Sequence, residues 1–356
     1  MARRPKPTCA ACTGPSNNRH RAARQPRGPA LPERPLFRLF LRSVVTLIGS
    51  ALIGSLVVFL LLRLLSGDVA TIILGKGATP EALAALRDEL GLNRSWPQQY
   101  FDWLFGLVRG DLGKSYAAQY DIFHEIWSRL GLTFSLSVGT LLLSAIVALA
   151  AGIYSALHVR DWRGGLIDVI AQLGLAIPTF WAALLLIGLV SVRLGWLPAG
   201  GYVPWSEDPV GAIRSLILPI LALSIPMISL LARYVRSSML EVTNEDYIRT
   251  AMAKGYTRPR AVVVHGTRNA SIQLLTVATL QFGTLIAGTV VIENIFALPG
   301  LGKMLIEAVG NREAVVVQSL VFVVMLVILV LNFIMDISYG LLDPRIRHSS
   351  AGGAHG

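Results

Sequence analysis

Few residues in this chain have the types and spacing that chemistry needs, and most of those fail on their neighbours. Gly113-Lys114-Ser115 is the tail of a phosphate-binding loop, whose backbone N–H groups must wrap a nucleotide phosphate. The leading glycine of that pattern would fall at residue 108, which is Val108. Cys9 and Cys12 form Cys-Ala-Ala-Cys with only His20 nearby, three ligands where a zinc site takes four. They read as two reduced thiols. No Gly-x-Ser-x-Gly, no His-Glu-x-x-His and no paired carboxylates inside an apolar run occur. Asp168 and Asp336 lie near the ends of apolar runs, where a carboxylate reaches water; a proton relay is the alternative, with no Lys or Arg inside a span as partner. The expectation is a chain that is not an enzyme, holds no metal and binds no cofactor itself.

The elements that must position everything else are apolar. Of 356 residues, 53% are hydrophobic and 15% charged, against about 25% charged in a soluble protein. Six runs approach the roughly 20 apolar residues that cross a bilayer. They are Ser43–Leu65, Leu132–Leu157, Val169–Val192, Leu216–Ala232, Ala270–Ile292 and Ala314–Met335. The fourth is short and holds Pro219 and Pro226; the fifth is rich in Gln and Thr. The fold class is therefore an all-α membrane protein with about six transmembrane helices.

Charge gives the orientation. Residues 1–42, 158–165, 233–268 and 340–356 would share one side, and they hold 21 of the 32 Lys and Arg but only 6 of the 21 acids. Basic residues stay on the cytoplasmic side, so both termini should lie there. The net charge of +11 follows from this sidedness and requires no nucleic acid. The chain divides into a disordered basic tail (1–35) suited to anionic lipid, a first span (36–65) and an exterior cap segment (66–131). A core (132–340) with a cytoplasmic loop (233–268) and a short tail (341–356) complete it.

In the cap segment, Thr79-Pro80-Glu81 opens a helix that Gly91 ends, and Tyr100, Trp103, Leu104 and Leu107 suit a membrane interface. The loop from Glu293 to Gly302, with Pro299 and Gly300, is apolar enough to fold back on the bundle. In the cytoplasmic loop, Thr243-x-x-Asp246 has the form of a capping box, and Glu245 and Asp246 favour a helix start. Tyr247, Ile248, Ala251 and Met252 form an apolar stripe, Gly255 closes the helix, and Pro259 stops its continuation. So short a helix is marginal alone and must dock, on its own bundle or on a partner.

Asp246-Tyr-Ile-Arg-Thr-Ala-Met-Ala-Lys-Gly255 resembles the cytoplasmic coupling region of ABC-importer permeases, in the dipeptide, oligopeptide and nickel branch. The resemblance spans roughly residues 36–347 and takes in residues 79–87, 110–115, 194–198, Pro299-Gly-Leu-Gly302 and 342–347. It implies a type I importer permease that pairs with a second, similar permease. Two cytoplasmic ATPase subunits would hold ATP-Mg, and an extracytoplasmic binding protein would deliver substrate. It implies that Glu245, Asp246, Tyr247, Arg249, Thr250, Ala251, Ala253, Lys254 and Gly255 meet an ATPase groove, with Ala251 and Gly255 at small-residue positions. Arg249 stands where the broader motif carries an acid, and Gln273 where relatives often carry proline. Gln273, Thr276, Gly283, Thr284 and Gly288 lie near one face of the fifth span with Gln281 beside it, suited to lining a path or to close packing. Peptides, nickel or another small solute fit the branch. A stand-alone secondary transporter or channel would need an inverted repeat or clustered intramembrane charge, and neither occurs.

Overall fold

A computed structural model describes residues 35–65, 69–75, 77–89, 91–116, 118–243 and 245–342. The basic tail with Cys9 and Cys12, the end segment 343–356 and the Asp336 side chain lie outside the described residues. The elements are α1 (Pro35–Leu65), α2 (Val69–Leu74), α3 (Pro80–Glu89), α4 (Trp96–Arg109), α5 (Ile122–Leu157), α6 (Trp162–Ala176), α7 (Thr179–Leu186), α8 (Pro209–Thr243), α9 (Asp246–Ala253), α10 (Arg258–Ile295), α11 (Leu301–Gly310) and α12 (Ala314–Leu342). No strand occurs among the described residues, only an isolated bridge between Lys114 and Asp121.

Five helices are long and apolar enough to cross a membrane: α1, α5, α8, α10 and α12. The expected third span is not one straight helix. It is α6 followed by α7 and a π-helical turn (Ile187–Arg193), bent by 101° at a short break. Proline explains the place. The residue before a proline is pushed out of the helical region, and Ile177 is extended at φ −77°, ψ 119° ahead of Pro178.

The fourth span, short in the sequence, proves the longest-buried element. Its helix runs 35 residues straight through Pro219 and Pro226, and α5, α6, α7 and α10 all pack on it. Each proline removes an N–H and leaves a carbonyl without its helical partner, a loss tolerated where neighbouring helices surround the chain. The main core is accordingly α5, α8 and α10, with Leu136, Leu218, Leu231, Val235, Met239 and Ile292 fully enclosed. A second cluster joins Leu112 and Ile122 to Leu301, Met304, Val316 and Leu320.

Contacts fix the relative directions. Added Cβ atoms at Gly139 and Gly152 would meet Ile220 and Val235, so α5 and α8 run the same way. Gly266 faces Met239 and Gly288 faces Leu223, so α10 runs back. Phe40 meets Phe333 at 5.9 Å, which brings the start of α1 beside the end of α12. The result places α9, the α5–α6 turn, the start of α1 and the end of α12 at one end of the bundle.

Candidate functional site

The segment expected as a loop over 233–268 is mostly helix. α8 continues to Thr243 and α10 begins at Arg258, leaving residues 244–257 to make the connection. With 35 and 38 residues, these helices measure about 52 and 57 Å against about 30 Å of hydrocarbon. They overhang the membrane by several turns, and α9 sits at their tip.

Thr243 does not cap α9. It is the last residue of α8 and donates its Oγ1 to the carbonyl of Met239 at 2.8 Å. Glu245 takes the N-cap position in extended conformation with no side-chain bond, and Asp246 supplies the acid in the first turn. Thr250 Oγ1 donates back to Asp246 O at 3.0 Å, and Arg249 pairs loosely with Asp246 at 3.7 Å. At the far end Gly255 adopts φ +95°, its N–H donating to Met252 O at 2.9 Å. That left-handed closure favours glycine, as the sequence indicates. The next turn is α10 itself, with extended Thr257 at its N-cap position and Pro259 in its first turn.

The apolar stripe of α9 is narrower than expected. Ile248 and Ala251 are buried in the main core, whereas Tyr247 and Met252 are exposed. Ala251 is therefore small because its own bundle approaches, and it is not free to meet a partner. Glu245, Asp246, Tyr247, Arg249, Thr250, Met252, Ala253, Lys254 and Gly255 form the outward surface. Tyr247 and Tyr256 flank His265 of α10 edge-on at 6.4 and 6.2 Å, and Arg260 covers the Tyr256 ring.

Asp168 has the partner that the sequence seemed to deny it. Arg236 of α8 pairs with its carboxylate at 3.0 Å, and Ser155 of α5 donates to it at 2.8 Å. Arg236 lies beyond the apolar run that ends at Ala232, on turns that α8 carries on to Thr243. The tie joins three helices beside an open cavity of about 460 Å³ lined also by Gln172, Arg233, Tyr234 and Ser237.

On α10, Gln273 and Thr284 are exposed and Thr276 and Gln281 are partly buried. At 100° per residue Gln273, Thr276 and Thr284 share a face with Leu280, Ala287 and Val291, while Gln281 lies about 80° away. Gly283, about 20° from Thr276, turns towards Ile328 of α12, and Gly288 towards Leu223 of α8.

At the opposite end, Glu293-to-Gly302 folds back as expected, with Phe296 and Leu298 fully buried. Its organiser is Glu293, which belongs to no recognised motif. The buried Glu293 carboxylate accepts from Thr133 Oγ1 at 2.7 Å, Gly302 N–H at 2.7 Å and Lys303 N–H at 3.2 Å. It thus caps the start of α11 and ties it to α5. A Cβ on Gly300 would overlap this carboxylate, and one on Gly302 would stand 2.3 Å from Val290 Cα. Pro299 is exposed. The clue was an acid ending an apolar run, followed by two closely spaced glycines.

The phosphate-loop tail is likewise structural. Gly110 ends α4 at φ +80°, Asp111 accepts from Gly113 N–H, and buried Ser115 donates to Glu313 at 2.5 Å.

Residues 148–348 match the family described as binding-protein-dependent transport system inner membrane component, and residues 36–137 match the N-terminal region of such membrane components. A putative peptide transport system permease of Brucella abortus is 41% identical over 311 residues, covering 87% of this chain and 99% of the relative. A di/tripeptide transport system permease of Pseudomonas aeruginosa is 39% identical, covering 83% and 94%. The dipeptide transport system permease of Escherichia coli K12 is 36% identical, covering 88% and 99%.

Proposed function

The chain belongs to the family of binding-protein-dependent transport system inner membrane components, and on that footing we propose that it passes di- or oligopeptides inward through a path shared with a second permease. The permease subunit holds no motor. Two ATPase subunits carrying ATP-Mg dock at the α9 end, which is cytoplasmic because the basic residues of the α5–α6 turn and of residues 233–268 gather there. A substrate-binding protein delivers peptide at the end carrying α11.

One observation carries this reading. α9 offers an exposed polar surface at the tip of two overhanging helices while Ile248 and Ala251 anchor it into their core. Force on α9 therefore moves α8 and α10 as one body, and the Arg236–Asp168 tie extends that motion to α6. The bend at Pro178 then separates α6 from α7, giving the bundle a joint.

Gly255→Asp tests the coupling. Cβ space at Gly255 is open, but φ +95° strains any L-residue, and the new carboxylate would project from the α9 surface. Membrane level of the chain should remain normal while uptake of a labelled dipeptide is lost. Normal uptake with the ATPase still recruited would overturn the assignment, and nickel uptake in place of peptide would overturn the substrate.

A further inference from the structure

The sequence puts α4 in the exterior segment between the first and second spans, with aromatic residues suited to the membrane interface, and its contacts lie deeper than that. Tyr100 Oη hydrogen-bonds Ser55 Oγ of α1 at 2.8 Å, and the Tyr100 and Trp103 rings pack on Phe59 of α1 at 5.5 and 6.3 Å. Trp103 also meets Phe322 of α12 edge-on at 5.6 Å. Two independent rulers give the depth. Arg63 marks the boundary of α1, since its guanidinium belongs at the interface and reaches Leu92 O of the segment leading into α4. Ser55 is about 12 Å below Arg63 along the helix, and Phe322 is about 12 Å inside the start of α12. Half of a hydrocarbon layer is about 15 Å.

The helix is built for that depth. Tyr100 and Trp103 turn towards α1 and α12, and Leu107 packs on the cluster of Leu112, Leu301 and Leu320. Phe101, Phe105 and Val108, at i, i+4 and i+7, form a second apolar face and are 52, 59 and 82% exposed. Gln98, Gln99, Asp102 and Arg109 occupy the remaining arc, with Gly106. Leu56, Leu60 and Leu61 of α1, beside Ser55 and Phe59, are exposed as well, and α1 is the least buried of the five straight spans. The bare face of α4 continues the lipid-facing surface of the outermost span.

We propose that α4 is an interfacial helix sunk into the bilayer leaflet at the α11 end, with Phe101, Phe105 and Val108 against lipid acyl chains and Asp102 towards water. A helix with about half its circumference apolar and a polar face opposite takes this position. Ser55 Oγ donates to Leu52 O at 2.8 Å and so accepts from Tyr100, whose hydroxyl would otherwise be unpaired in hydrocarbon.

The test is independent of what the protein transports. A nitroxide is placed at Phe105→Cys, in a chain with Cys9 and Cys12 changed to Ser, purified with its partner subunits and reconstituted in phosphatidylethanolamine–phosphatidylglycerol vesicles. Val108→Cys serves as the second site and Asp102→Cys as the reference. Oxygen should relax the labels at 105 and 108 more than a water-soluble nickel chelate does, with an oxygen-to-nickel ratio several-fold above that at 102. Nickel-dominated relaxation at 105 and 108 would place the face in water, and protection from both reagents would place it under protein. Either result overturns the proposal.

Discussion

A carboxylate enclosed by helices persists only where its lone pairs find donors, and Glu293 finds three, from α5 and from the first turn of α11. Removing it orphans those donors together, each at about 1–3 kcal/mol. Glu293→Ala should therefore lower the thermal unfolding midpoint of the detergent-purified complex well below wild type. Glu293→Gln, which keeps one acceptor oxygen, should fall between them; an alanine variant as stable as wild type would contradict the role. Residue-level reading of the sequence was weakest here. Val108 already rules Gly113-Lys114-Ser115 out as a phosphate loop, but nothing local shows that Ser115 is spent on Glu313. Nothing local identifies Thr133, which lies 160 residues from the acid it serves.

Helices were legible wherever hydropathy alone decides them, and misdrawn where polar residues extend an apolar run. Arg233 and Arg236 looked like the start of a loop because overhanging turns are as polar as loops, and only packing separates the two. The coupling helix was located by its glycine closure, but its N-terminus was not, because Thr243 bonds backwards into α8. Pro178 was visible as a residue and invisible as a 101° bend, since apolar composition continues across it. The Asp168–Arg236 pair is the consequence of reading α8 to its true length. Both side chains are about a third exposed, so a double-mutant cycle of Asp168→Asn and Arg236→Gln should give a coupling of about 1 kcal/mol. If the two substitutions add without coupling, the tie contributes nothing to joining α6 and α8.

As a whole the molecule is a bundle with two differently finished ends. One end gathers α9, the basic residues of the α5–α6 turn and of residues 233–268, and the overhanging turns of α8 and α10; the other is closed by α11 and the buried acids Glu293 and Glu313. This asymmetry is what a passive path driven from below requires: a lever outside the membrane at one end, and a packed closure at the other. The central claim is that an ATPase sits on α9, and contact capture tests it most directly. A photoreactive benzoylphenylalanine at Met252, exposed on α9, should form an adduct with the ATPase subunit when the assembled complex is irradiated. The same probe at Trp205, exposed in the loop ahead of α8 at the opposite end, should form none with it. Capture of the ATPase from position 205 and not from 252 would contradict the account.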